Sequence, residues 1–236
     1  MTRRRWIADE VSGNRAALTG SHAQHLSRVL RVRVGQRFDI VTTEGVRSGI
    51  VGAIHDSRVE FELGEAVIEQ VAPAITLALA IFKFDRMEWA IEKCTELGVA
   101  RIVPVIAQRS EAHLAAAATK RVERWKRIAM QASEQSRRAS PPEIDEPAKV
   151  KELIQFPAAN RVVLSESEDE ITLRDALPEH SEDILLAVGP EGGWTAAELE
   201  LFHATGWTSA SLGYTVLRAE TAAIAAVAVV LSELQR

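Results

Sequence analysis

The chain has 236 residues, 47% of them hydrophobic and 26% charged, an ordinary globular composition that excludes a disordered, collagen-like or disulfide-scaffold protein. The single cysteine, Cys94, cannot form an internal disulfide, and the opening Met1-Thr-Arg-Arg-Arg-Trp6 lacks the apolar core of a signal peptide, so a reducing, cytoplasmic setting is expected. The formal net charge of −5, taken whole, argues against a nucleic-acid partner.

The apolar runs of residues 6–68 are short and separated by glycines. Residues 38–41, 49–54 and 59–63 read as strands, the last by strict alternation of Val59, Phe61 and Leu63 with glutamates. One helical stretch, residues 22–30, interrupts them, and the whole reads as a small β-barrel of residues 1–70. Near residues 68–74 the pattern changes. Residues 75–82 form an apolar run, broken only by Thr76, as in a strand buried on both faces. A helix over 86–97 ends at Gly98. Then follow a strand (101–106), a long helix (120–138), strands at 161–165 and 184–188, a helix (196–205), a short strand (209–212) and a final helix (220–234). Strands alternating with helices predict an α/β domain over residues 71–236 with a largely parallel sheet. The most apolar window, residues 222–231, is too short to span a bilayer, so no membrane partner is expected.

The net charge conceals an asymmetry. Residues 101–140 carry +6 and residues 141–236 carry −11. On a helix over 120–138, Lys120, Arg124, Arg127 and Arg138 share one stripe, while Val122, Trp125, Ala129 and Ala132 share the opposite one. A stripe of guanidinium forks suits phosphate, and a solvated face of an amphipathic helix gives the same pattern. Arg3, Arg4, Arg5 and Arg109 could extend the basic surface toward RNA. Trp6 beside the arginine triplet suits a barrel core better than a base stack.

Two loops carry the sharpest signal. Val188-Gly-Pro-Glu-Gly-Gly-Trp194 follows an apolar strand and precedes a helix opened by the capping box Thr195-Ala-Ala-Glu198. Gly189, Pro190, Glu191, Gly192 and Gly193 let a ligand approach the backbone closely, where open α/β sheets bind ligands. Leu212-Gly-Tyr-Thr-Val-Leu-Arg-Ala-Glu-Thr-Ala222 again links strand to helix. Arg218 is the only basic residue between Arg174 and Arg236, a candidate for anion or carbonyl recognition unless it pairs with Glu220. No dinucleotide-binding G-x-G-x-x-G follows a strand, no phosphate-binding P-loop is present, and the six histidines are not spaced for a metal site.

The glycine motif at 189–193, Leu212-Gly213 and Leu217-Arg-Ala-Glu-Thr-Ala222 resemble the RsmE family, the small-subunit ribosomal RNA uracil-N3 methyltransferases of the SPOUT superfamily. Glu88-Trp-Ala-Ile-Glu-Lys-Cys-Thr-Glu-Leu-Gly98, Arg124-Trp125 and Glu134-Gln135 also fit, so the resemblance covers nearly the whole chain. Arg137 stands where the family has Gly, and Ala219 where it often has Thr. The resemblance implies a SPOUT-type trefoil-knotted, mostly parallel sheet preceded by a PUA-like RNA-binding β-barrel. It also implies a homodimer, and S-adenosylmethionine as the methyl donor, already activated so that no metal is needed. Donor contacts would fall at Leu164, Ser165, Glu166, Val188, the 189–193 glycine motif, Leu212, Gly213, Leu217, Glu220, Thr221 and Ala222. Arg218 would be catalytic, stabilising a uridine that loses its N3 proton. Other SPOUT enzymes, acting on tRNA or on ribose, and an RNA-binding protein with a degenerate donor site are the competing readings.

Overall fold

The structure is a computed structural model and describes residues 5–67, 74–136, 138, 140–180 and 183–234. Arg3, Arg4 and Arg137 lie outside the described residues. The chain divides into two compact units, Met1–Gln70 and Val71–Arg236.

The first unit is a six-stranded sheet. In chain order its strands are β1 (Arg5–Ile7), β2 (Glu10–Ser12), β3 (Arg15–Thr19), β4 (Arg37–Thr42), β5 (Gly45–His55) and β6 (Arg58–Ala66). Their spatial order is β1-β4-β5-β6-β3-β2, antiparallel except for β1 on β4. The Ala8 N–H donates to Val41 O and the Asp9 N–H to Ala17 O, each at 3.0 Å. The segment 5–12 therefore bonds to both ends of the strand order and curls the sheet. Alternation places Val59, Phe61 and Leu63 of β6 in a core with Trp6, Leu18, Leu26 and Ile40. The expected helix at 22–30 is two pieces: α1 (Gly20–Gln24), and a π-type turn over His25–Val29.

The second unit is an all-parallel sheet among its described pairs. Its strands are β7 (Ala74–Ala80), β8 (Arg101–Ile106), β9 (Glu143–Ile144), β10 (Ala148–Lys149), β11 (Asn160–Leu164), β12 (Asp183–Val188) and β13 (Thr208–Ala210). The order is β10-β8-β7-β12-β11-β13, with β9 also on β8. Helices are α2 (Phe84–Leu97), α3 (Ala112–Ala117), α4 (Val122–Ser136), α5 (Val150–Leu153), α6 (Ala196–Ala204) and α7 (Ala219–Leu234). The apolar run of β7 has a physical reason. Ile75, Leu77 and Leu79 pack in the cluster with α2, α4 and α7. Ala78 and Ala80 pack in the cluster with α5 and α6. With both faces covered, the strand shows no polar alternation beyond the half-buried Thr76. The long helix begins with a tighter 3₁₀ turn, Thr119–Arg121, and its apolar stripe of Val122, Trp125, Ala129 and Ala132 is buried.

Cys94 lies in this core, and burial pushes its thiol from 9.0 up to about 12. A thiol reagent at mildly alkaline pH should leave the folded protein unlabelled and label the unfolded chain; rapid labelling of the folded form would contradict this placement. The thiol's contribution to stability is intact below about pH 9 and is lost as pH climbs toward 12, because the unfolded thiol ionises first.

Candidate methyl-donor site

The carboxyl ends of β11, β12 and β13 open onto one cavity of about 630 Å³, within the range typical of small-molecule sites. Its walls come from three loops. The first is Leu164 to Ser167 after β11, the second runs from Val188 through Trp194, and the third runs from Ala210 to Ala219 ahead of α7.

The loops are fixed by bonds that side chains and backbone make to one another. Ser165 N–H donates to Ala210 O at 3.0 Å, Leu173 N–H to Ser211 O at 2.8 Å, and Ser211 N–H to Ile171 O at 2.9 Å. Trp194 is the central tie: its buried indole Nε1 donates to Leu164 O at 3.1 Å. Its ring packs edge-on against Phe202 at 5.1 Å, and Phe202 against Trp207 at 4.8 Å. Gly189 lies close against this ring: a Cβ there would sit 3.2 Å from the indole nitrogen, so the ring would have to give by a few tenths of an ångström. Gly193 closes the turn, its N–H donating to Pro190 O at 2.8 Å with φ +68°, a left-handed geometry that a side chain resists.

The end of the glycine loop is held from the loop after β8. Arg109 Nη1 donates to Gly192 O at 2.5 Å and to Trp194 O at 3.3 Å. Thr195 caps α6 by accepting from Glu198 N–H at 3.3 Å. Glu198, itself buried, accepts from Gln108 N–H at 2.7 Å and Thr195 N–H at 2.9 Å. The capping box read from the sequence therefore also splices the loop after β8 to the cavity wall.

Most of the expected donor contacts line the cavity: Leu164, Ser165, Glu166, Val188, Gly189, Pro190, Glu191, Gly193, Leu212, Gly213, Leu217 and Ala222. Gly192, Glu220 and Thr221 do not line it. Gly192 presents its carbonyl to Arg109. Thr221 is exposed in the first turn of α7. Glu220 is buried behind the wall and pairs with Arg86 at 3.7 Å, its Oε2 having no hydrogen-bond partner among the described residues. Arg218 thus does not take Glu220 as partner. It is exposed on the cavity wall, and its guanidinium makes no hydrogen bond or ion pair among the described residues.

Sequence reasoning missed Arg86 and Trp194. Arg86 sits near the start of α2, far along the chain from the loops it joins. Trp194 was legible only as the end of the glycine motif.

The basic helix is more occupied than its stripe suggests. Arg124 forms a bidentate pair with Glu88, at 2.6 Å and 2.7 Å, which holds its guanidinium above the ordinary value. Arg138 Nη1 donates to Thr95 O at 2.7 Å, and burial lowers its pKa. Arg127 Nε donates to Glu123 O at 3.3 Å. Lys120 lies exposed in the 3₁₀ turn.

The family model for the RNA methyltransferase domain matches residues 70–231. A "Ribosomal RNA small subunit methyltransferase E" of Rickettsia conorii is 32% identical over 88% of this chain and 85% of its own. The chain belongs to this family. The relative of the same name from Aquifex aeolicus is 29% identical over 96% of this chain and 98% of its own. A solved methyltransferase E of Neisseria gonorrhoeae, bound to S-adenosylmethionine, is 30% identical, with a TM-score of 0.67 and 98% of each chain covered. As a small-subunit methyltransferase E the chain is an α/β enzyme with a mostly parallel sheet and a curled, largely antiparallel one. No helix among the described residues is long and apolar enough to cross a membrane. Among them no group of three or more His, Cys, Asp or Glu could hold a metal ion.

Proposed function

We propose that this methyltransferase transfers a methyl group from S-adenosylmethionine to N3 of a uridine in small-subunit ribosomal RNA. The observation that carries the reading is the cavity at the ends of β11, β12 and β13, walled by the glycine motif and the Arg218 loop.

The residues present fit the donor. Leu164, Val188, Leu199, Leu212 and Leu217 offer apolar contact to an adenine, and the loop backbone offers the N–H and C=O groups that read its edge. Glu166 and Glu191 bring carboxylates to the same wall, favourable to a cationic sulfonium. S-adenosylmethionine supplies a methyl group already activated for displacement. What remains for the protein is the acceptor. Uracil N3 carries a proton with a pKa on the order of 9, so losing it near neutrality needs electrostatic help. Arg218, on the cavity wall and with no hydrogen bond or ion pair among the described residues, would donate to a uracil carbonyl and stabilise the charge that spreads onto it. Because N3 is hidden in a base pair, the target base is unpaired or turned out.

The reading includes a trefoil knot in the second unit. It is supported by the packing of the 164–167, 188–194 and 210–218 loops around one cavity and by the isolated bridge of Thr172 with Ser211. It includes a PUA-like barrel for residues 1–70, supported by the strand segment that bonds to both ends of the curled sheet. It includes a homodimer, because α7 is apolar throughout residues 222–231 and Tyr214 and Val216 stand exposed at the cavity rim. A cytoplasmic setting suits the lone buried cysteine.

Calorimetric titration with S-adenosylmethionine tests the donor half. Saturable binding, competed by S-adenosylhomocysteine, is expected. Absence of heat from folded protein would contradict it.

A further inference from the structure

Some of the described arginines are held by carboxylates and others are not. Arg58, Arg101, Arg124 and Arg174 are each paired with a carboxylate, at 2.8, 2.7, 2.6 and 3.2 Å respectively. Arg28, Arg31, Arg33 and Arg37 are not. All four are exposed, and their guanidiniums make no ion pair or hydrogen bond among the described residues. No acidic residue occurs between Glu10 and Asp39. In a chain with 33 acidic and 28 basic residues, four unpaired arginines within ten positions form a local positive field that nothing in their own segment neutralises.

The segment that carries them is held in place. Leu30 N–H donates to His25 O at 3.0 Å, Val32 N–H to Leu26 O at 3.2 Å, and Gly35 N–H to Val51 O at 2.8 Å. Arg33 N–H donates to the Gln36 side chain at 3.0 Å, and Gln36 N–H returns to Arg33 O at 3.1 Å. Leu26 and Val32 anchor the segment in the core of the first unit. Arg31 has φ +49°, the one described non-glycine residue in the left-handed region, a geometry that costs energy and persists only where surrounding contacts impose it. Between the arginines, Val29 and Val34 are 65% and 63% exposed. Planar forks carried on a backbone held in place suit repeated phosphate oxygens, and apolar groups between them suit sugar and base surface.

We propose that Arg28, Arg31, Arg33 and Arg37 form the phosphate-binding surface through which the first unit holds its RNA, and that this surface outweighs the helical stripe of α4. The inference rests on the RNA reading above and deepens it by naming the anchor. The stripe is weaker as an anchor because Arg124 and Arg138 are already engaged by Glu88 and the Thr95 carbonyl.

The test uses the full chain and small-subunit rRNA transcribed in vitro, with affinity measured across a potassium chloride series. Two variants are made: Arg31→Glu with Arg33→Glu, and all four arginines to Gln. The expected result is a loss of RNA affinity of about tenfold or more, and a salt slope flatter by about 0.7 for each arginine that no longer meets a phosphate. The thermal midpoint and S-adenosylmethionine affinity stay at wild-type values, since these side chains hold nothing in the fold. Arg124→Glu with Arg127→Glu should lose less. Unchanged affinity and slope in the folded four-residue variant overturn the proposal, as does a larger loss from the α4 pair. Unchanged RNA affinity together with lost retention on an acidic peptide would assign the surface to a protein and overturn it too. If wild-type protein binds S-adenosylmethionine but no RNA, the RNA reading itself falls and takes this inference with it.

Discussion

Replacing Arg218 with alanine should lower kcat for methyl transfer by about 10²–10³-fold, the loss typical when one donor to a developing oxyanion is removed, while S-adenosylmethionine affinity stays within a few-fold. Three guanidiniums line the cavity, and two are already engaged. Arg86 faces Glu220 and Arg109 holds the Gly192 and Trp194 carbonyls. Arg218 is the one whose side chain has no partner among the described residues. Its backbone is set by the first turn of α7, where Ala222 N–H donates to Arg218 O at 2.8 Å. The side chain is therefore placed without being consumed, as a group reserved for an incoming carbonyl would be. Arg218→Lys keeps the charge and loses the fork, so it should recover part of the rate. A rate equal to wild type in Arg218→Ala would remove this residue from the mechanism, and a parallel loss of donor affinity would reassign it to cofactor binding.

Replacing Trp194 with alanine should cost about 3–5 kcal/mol of stability, as for a large buried aromatic, together with weakened donor binding. The ring is buried, stacks edge-on against Phe202, and carries the hydrogen bond that joins the glycine loop to the loop after β11. Its removal opens a void beside Gly189 and frees two of the three cavity walls. Trp194→Phe separates the two roles. It keeps most of the packing and loses the bond to Leu164 O, for about 1 kcal/mol of stability. Chemical denaturation and calorimetry read the pair of variants. If alanine leaves the unfolding midpoint and the donor affinity unchanged, the tie is not structural.

What could be read from the residues alone followed from periodicity and loop chemistry. The run of residues 75–82 told of a doubly covered strand because β7 meets helices on both faces. The stripes of α4 were legible because a long helix repeats its period several times. Strands β1, β2, β9 and β10 are two or three residues long, too short to show any period. The Arg124–Glu88 pair joins residues 36 apart in the chain, and no local pattern predicts it. Arg86 and Trp194 reach the cavity wall only through tertiary approach. Charge summed over residues 1–70 came to +1, which averaged away the unpaired arginines of residues 28–37. The overall charge of −5 misdirects for the same reason.

The central claim is best tested by incubating the protein with labelled S-adenosylmethionine and, separately, small ribosomal subunits, protein-free small-subunit rRNA and tRNA, followed by nucleoside analysis. The account predicts label in small-subunit rRNA, recovered as 3-methyluridine. Label recovered from tRNA or on a ribose oxygen, or no transfer by protein that binds the donor, would contradict it.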